Sequence, residues 1–342
     1  MQKNIKVSYA RWFDWIEYSN VEIPLWALME LTKIAELSFG EMEQNIICYK
    51  KTNTPKRLYI YSPVLPVEFS PELVSLAGHF CFDGSLPKDC KGSFYSQKNP
   101  VQVADFIKKV KNCFGEVPAA TRKDKKNVYN VQLPRIVGEI CKHVCKFDSF
   151  DSFETKIPKK IKNSNKSIRL AFLVSAILDE GAVGTEYVQI LLKNEKMTND
   201  LHDLCVGLKY NCTQPKEKKN YSEVYYFYIK SIDGIYKDVE KLQKRFPLIS
   251  FGFKEDKIEF LISSKRFVRG KHTTETAKTR RKQILANLNE SKTSFELAQC
   301  LKIPARSVRR HLAGLLKEDK IERIKKEQTY FYKLSPLFQG GS

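Results

Sequence analysis

Two stretches of this chain are apolar on every side, and each ends in an acid followed by glycine. The first is LVSLAGHFCFDG at residues 73–84, and the second is FLVSAILDEG at residues 172–181. A surface helix shows one apolar stripe, so a run without a polar face predicts a helix that is buried all round. Leu76, Ala77 and Gly78 in the first run, and Val174, Ser175 and Ala176 in the second, offer surfaces small enough for two helices to approach closely. Packed side by side in parallel, the runs would bring Asp83 and Glu180 together. A carboxylate at a helix C-terminus faces the negative end of the dipole and is unfavourable unless a cation compensates it. That placement points to a divalent metal.

The same order of elements follows each run. After the first come a strand pattern at 92–97 and a helix at 101–114, apolar at Val103, Phe106, Ile107 and Val110 and stopped by Gly115. An alternating strand at 127–133 follows, and Pro134 opens a helix through residue 144. The second copy, with its own helix at 168–180, runs strand 186–192, helix 199–209, strand 222–229 and helix 235–245. Each copy therefore reads as αββαββα in an α+β fold, and the repeat predicts two halves about a pseudo-twofold axis. Residues 148–166 are polar and lysine-rich and read as a surface linker. Residues 251–267 fit either a hairpin or a last helix.

Before the repeat, Pro24 opens an apolar-periodic helix, and Ser38 with Glu41 forms a capping box for a second. The pair suits a helix-turn-helix or any small helical unit. Residues 57–63 read as a strand, and Pro63 and Pro66 mark a boundary. After the repeat, a helix at 279–289 precedes the capping box Thr293/Glu296. A turn at 302–304 leads into ARSVRRHLAGLL, with Val308, Leu312 and Leu315 on its core stripe, and a β-wing closes the unit. This order resembles a winged helix-turn-helix DNA-binding domain. Arg306, Arg309 and Arg310 fall off the core stripe; the first two are candidates for groove contact, and Arg280, Arg281 and Lys325 for phosphate contact. A winged helix serving protein contacts fits the same pattern. The expected divisions are 1–66, 67–150, 151–166, 167–268 and 269–342.

Charge narrows the partner. Lys+Arg 59 against Asp+Glu 39 leaves +20 over 342 residues, which favours an anionic polymer, nucleic acid before membrane. No apolar run approaches the roughly 18 residues that a membrane-spanning helix needs. The first residues lack the apolar core of a signal peptide, so an intracellular, DNA-associated protein is expected. The nine cysteines are scattered without a CxxC pair and read as reduced thiols. Cys141 and Cys145 share a helix face, while His143 points elsewhere, which fits a core thiol pair better than zinc.

The repeated pattern resembles the LAGLIDADG family of homing endonucleases in its single-chain, two-motif form. Leu76, Ala77, Gly78, Asp83 and Gly84 match the first motif; residues 173–181 match the second more loosely, with Glu180 in the acid position. The resemblance covers about residues 71–250. It implies that the motif helices form the interface between halves, that Asp83 and Glu180 bind Mg²⁺, and that each half's sheet saddles the major groove of double-stranded DNA. It also implies a water-positioning role for Gln97, with Lys193 as its counterpart, and basic neighbours at Lys98 and Lys230. The bland alternative for Gln97 and Lys193 is a polar residue at a strand end. Phe82 and Asp179 depart from the family by standing where a small residue usually precedes the acid, which challenges close helix approach there. His79, one turn before Asp83, reads as a packed interface histidine. A monomer with an internal pseudo-dimer is expected. Two functions follow: a site-specific Mg²⁺-dependent endonuclease, or a transcription regulator on a domesticated core that binds DNA without cutting it.

Overall fold

The computed structural model describes residues 22–51, 55–88, 90, 92–184, 186–219, 223–269, 277–326 and 329–336. The N-terminal expectations that fall on residues 1–21 lie outside this set, as does the start of the strand expected at 222. The described residues begin with α1 (Leu25–Ile34) and α2 (Phe39–Gln44), the latter opened by the Ser38/Glu41 capping box. β1 (Cys48–Tyr49) pairs with β2 (Ile60–Tyr61). The strand expected at 57–63 is thus mostly a 3-10 turn (Lys56–Leu58) followed by two paired residues.

The first half is α3 (Pro71–Phe82), β3 (Gly84–Ser85), β4 (Gly92–Gln97), α4 (Pro100–Phe114), β5 (Ala120–Lys123), β6 (Tyr129–Pro134) and α5 (Arg135–Cys145). The second is α7 (Lys166–Glu180), β7 (Gly181–Val183), β8 (Val188–Leu192), α8 (Glu195–Gly207), β9 (Lys216–Glu217), β10 (Tyr225–Ile229) and α9 (Ile232–Gln243), after the short α6 (Lys159–Lys162). The antiparallel sheet orders are β3-β4-β6-β5 and β7-β8-β10-β9, the same arrangement twice. This α+β fold is a pair of αββαββα halves. One continuous core, from Ile60 to Leu261, spans both.

Residues 148–166 are not a solvated tether. Phe150, Ile157 and Ile161 are buried in that core, because apolar residues spaced among the lysines anchor the segment while the charges face water. Gly115 ends α4 at φ 93°, and a side chain there would meet the Ser62 carbonyl. Tyr61 and Glu116 exchange backbone hydrogen bonds at this point, which ties the N-terminal strands to the first half.

Residues 251–267 resolve as a 3-10 turn (Gly252–Lys254) running into α10 (Glu255–Arg269), not a hairpin. Helix α10 joins two cores. Ile258 and Leu261 are buried in the main one, while Phe260 stacks edge-on against Phe295 at 4.5 Å in the C-terminal unit. That unit comprises α11 (Ala277–Ala286), β11 (Lys292–Thr293), α12 (Ser294–Leu301), α13 (Ala305–Lys317), β12 (Ile321–Lys326) and β13 (Thr329–Leu334). Val308, Leu312 and Leu315 fill its small core.

Every residue of α3 is buried, as are Ile168 and residues 170–178 of α7. The two helices meet at Gly78 and Ser175. A β-carbon added at Gly78 would fall 1.9 Å from Ser175 Oγ and 3.0 Å from its Cβ. Ser175 Oγ donates to the Phe172 carbonyl at 2.7 Å, so it cannot swing aside without losing that bond. Gly78→Ala is expected to cost about 1–3 kcal/mol in denaturant melts, through overpacking. Ser175→Gly in the same chain should recover most of that loss, and a fully additive double mutant would disprove the contact.

Candidate functional site at the helix axis

The site forms where α3 and α7 end. Asp83 is the residue after the last turn of α3, and its Oδ2 accepts from Gln97 Nε2 at 2.9 Å. Gln97 reaches it because β4 pairs with β3, which leaves Asp83 directly. Glu180 is the last residue of α7. Lys193 follows β8 as Gln97 ends β4, but it is exposed, and among the described residues no hydrogen bond or ion pair joins it to Glu180. Lys98 and Lys230 are also exposed.

Asp179 does not separate the helices. Its side chain is fully buried and turns into the axis, where Oδ2 accepts from His79 Nδ1 at 2.8 Å and Oδ1 from Tyr95 hydroxyl at 3.0 Å. Phe82, the other departure, packs its ring on Phe172 with centroids 5.6 Å apart. His79 Nε2 lies 3.2 Å from the Lys109 ammonium, which also donates to Ser75 Oγ. An ammonium can only donate, so Nε2 accepts and Nδ1 carries the ring proton toward Asp179. Burial, and then Lys109, hold the imidazole well below its usual pKa, so it is neutral. Lys109 itself is pulled down to about 8 by burial, against the pull of Asp179 and Asp105.

Lys254 supplies the second buried cation. Gly252 stands at φ 46°, with its α-carbon face against Asp105 and Gln102 of α4, a conformation and a fit that favour glycine. That turn delivers Lys254 to the end of α7, where its Nζ donates to the carbonyls of Ile177 at 2.8 Å and Gly181 at 2.5 Å. Ile177 lies in the last turn of α7 and Gly181 is its C-cap, so the ammonium adds a donor at the helix end and offsets its dipole. Burial lowers Lys254 to about 8, and Asp179, Asp83 and Glu180 oppose that shift.

The acids are held under electrostatic stress. Burial, then the Asp179 charge, raises Asp83 to about 8. Burial, then Asp83 and Asp179, raises Glu180 to about 8. Burial raises Asp179 to about 7 despite the Tyr95 hydrogen bond. Among the described residues no group of three or more His, Cys, Asp or Glu side chains forms a metal cage. A pair of carboxylates is a donor set of the kind that hard divalent cations take.

In the C-terminal unit, Arg306, Arg309 and Arg310 lie exposed on α13, and Lys325 is exposed on β12. Arg306 Nη1 is 3.5 Å from Glu186 Oε1 in the β7–β8 turn, a solvated pair of little energetic weight. Arg281, expected at phosphates, is ion-paired with Glu318 and packed over Gly314. Arg280 is half-buried. Cys141 and Cys145 are both core thiols, raised by burial.

Sequence reasoning missed Lys254, Lys109 and Tyr95. Lys109 left a readable trace: it sits on the α4 stripe between Phe106 and Val110, where a lysine must be either exposed against the pattern or buried with a partner. Nothing local marks Lys254.

The shifted acids give a pH dependence. Their folded pKa values stand above the unfolded ones, so the protonated form stabilises the fold and that contribution is lost as pH rises from about 4 to 8. Asp83→Asn and Glu180→Gln should each match wild type near pH 4 and be more stable by several kcal/mol near pH 8, read by melting across that range. A difference independent of pH would contradict the burial of these carboxylates.

No protein-family model matches the chain, and no curated protein matches it. Among solved structures, mesophilic variants of the homing endonuclease I-DmoI align at 14% identity and TM-score 0.40, over 55% of this chain and 97% of that one. I-DmoI in complex with DNA and Ca aligns at 14% identity and TM-score 0.41, over the same shares. Full-length DUF199/WhiA from Thermatoga maritima aligns at 15% identity and TM-score 0.39, over 73% of this chain and 92% of that one.

Proposed function

We propose that the chain is a site-specific double-stranded DNA endonuclease of the LAGLIDADG type, with its two halves at about 67–150 and 167–268 and a C-terminal winged helix that lengthens the recognised sequence. The observation that carries this reading is the convergence of Asp83 and Glu180 at the ends of two helices packed as closely as Gly78 allows. Carboxylates raised to about 8 by burial and by neighbouring acids form a site that a divalent cation would relieve. Such an ion, held by Asp83 and Glu180, would lower the pKa of an attacking water and stabilise the leaving oxygen of a phosphodiester. The chain's own contributions are distinct. Gln97 fixes the Asp83 carboxylate through its amide. Lys254 keeps the end of α7 formed while Glu180 is ionised. The basic excess and the exposed Arg306 and Arg309 attract and orient the duplex.

One observation favours the second reading, a DNA-binding regulator without cleavage. Lys254 already places a positive charge among Asp83, Asp179 and Glu180, so the fold persists without metal, and DNA binding needs none.

Cleavage of a randomised duplex library decides between them. The nuclease reading expects Mg²⁺-dependent cutting at one selected site, abolished by a chelator and reduced at least a hundredfold in Asp83→Asn and Glu180→Gln. Tight selective binding with no cutting by any variant would leave only the regulator. In both cases affinity should fall by about tenfold or more between 50 and 200 mM salt, because phosphate contacts release counterions.

A further inference from the structure

The two sheets share a topology but not an outer-face chemistry. Successive side chains of a strand point to opposite faces, so the buried set marks the inner face and its neighbours the outer one. In the first half Tyr95, Val131 and Leu133 are buried, and the opposite face presents Phe94, Ser96, Asn130, Gln132 and Arg122. The register sets Asn130 between Ser96 and Arg122. Ser96 Oγ donates to Asn130 Oδ1 at 2.7 Å, which turns the amide donors outward. Apart from Phe94, this face carries hydrogen-bonding groups.

In the second half Val188, Ile190, Leu192, Phe227 and Ile229 point inward, and the outer face presents Tyr187, Gln189, Leu191, Lys216, Tyr226 and Tyr228. Leu191 faces Tyr226 across the ladder, and Gln189 faces Tyr228. The Tyr187 and Tyr228 rings pack with centroids 4.2 Å apart, and those of Tyr226 and Tyr228 at 5.3 Å. Each outer-face residue named is half-buried or exposed. The result is an aromatic and aliphatic surface beside a lysine.

Duplex DNA offers two chemistries in its major groove: hydrogen-bonding edges on every pair, and an apolar methyl group on thymine alone. Asparagine, glutamine and arginine match the first, and packed rings with a leucine match the second. We propose that the two halves read their half-sites by different chemistry, the first by base-edge hydrogen bonds and the second by contact of Leu191, Tyr226 and Tyr228 with thymine methyls. The recognised site is therefore asymmetric, with a thymine-rich half under the second sheet. Arg306 stands beside Glu186 at the end of that sheet, so the winged helix continues the contact on the same side. This inference rests on the DNA-binding reading above.

The test uses the full chain and its library-selected duplex, with uracil replacing thymine to remove only the methyl group. Each replacement in one half-site should weaken binding about threefold to fivefold, the effect of one buried methyl, and replacements in the other half should change little. Tyr226→Gln with Tyr228→Gln should abolish the uracil sensitivity, and Gln132→Ala should leave it intact. Equal sensitivity in both halves, or a selected site without thymines, overturns the inference while DNA binding stands. Tyrosine-dependent binding that prefers single strands also overturns it. Absence of selective duplex binding removes the DNA-binding reading and this inference together.

Discussion

The structure depends on one electrostatic constraint: three carboxylates stand at or beside the buried ends of two helices whose dipoles disfavour them. Asp83, Asp179 and Glu180 cannot all be ionised there without cations. The chain supplies two, Lys254 at the end of α7 and Lys109 behind His79, and both are themselves pulled down by burial. Neither side of this arrangement is stable alone. A buried charge left unpaired costs several kcal/mol, so losing one partner destabilises the others.

Close helix approach and this network reinforce each other. Gly78 brings α7 near enough for His79 of α3 to bond Asp179, and that bond uses a carboxylate that would otherwise force the helices apart. Tyr95 from the first sheet closes the second oxygen. Close packing and hydrogen bonding therefore fix how the halves meet, and they set where Asp83 and Glu180 point. The 3-10 turn at Gly252 completes the site from beyond the repeated αββαββα elements, so the residues after α9 belong to the centre as much as the motifs do.

The repeat, both motif helices and their terminal acids were legible in the sequence because an all-round apolar run and a strict element order are local signals. The capping boxes at Ser38 and Thr293 were legible for the same reason, since each is written within four residues. Asp179 looked like an obstacle because its partners, His79 and Tyr95, lie far away in the chain, and no spacing rule connects them. Lys254 was illegible on stronger grounds. Its role comes from a left-handed glycine turn that carries it to α7, and the local sequence fits a hairpin equally well. Residues 148–166 misled because lysine counts describe a segment's solvated face and say nothing of Phe150, Ile157 and Ile161 beneath it.

The charge balance also sets what the centre can hold. With every group ionised, the three acids exceed Lys254 and Lys109 by one negative charge. Anions cannot share a poorly solvated site at little cost. The acids relieve the excess by taking up protons, which their raised values allow at neutral pH, and a further cation would relieve it equally. Lys254 offsets the excess only in part, because its Nζ also donates to the Ile177 and Gly181 carbonyls. The lysine thus sustains the end of α7, and the two acids retain an unmet demand for positive charge.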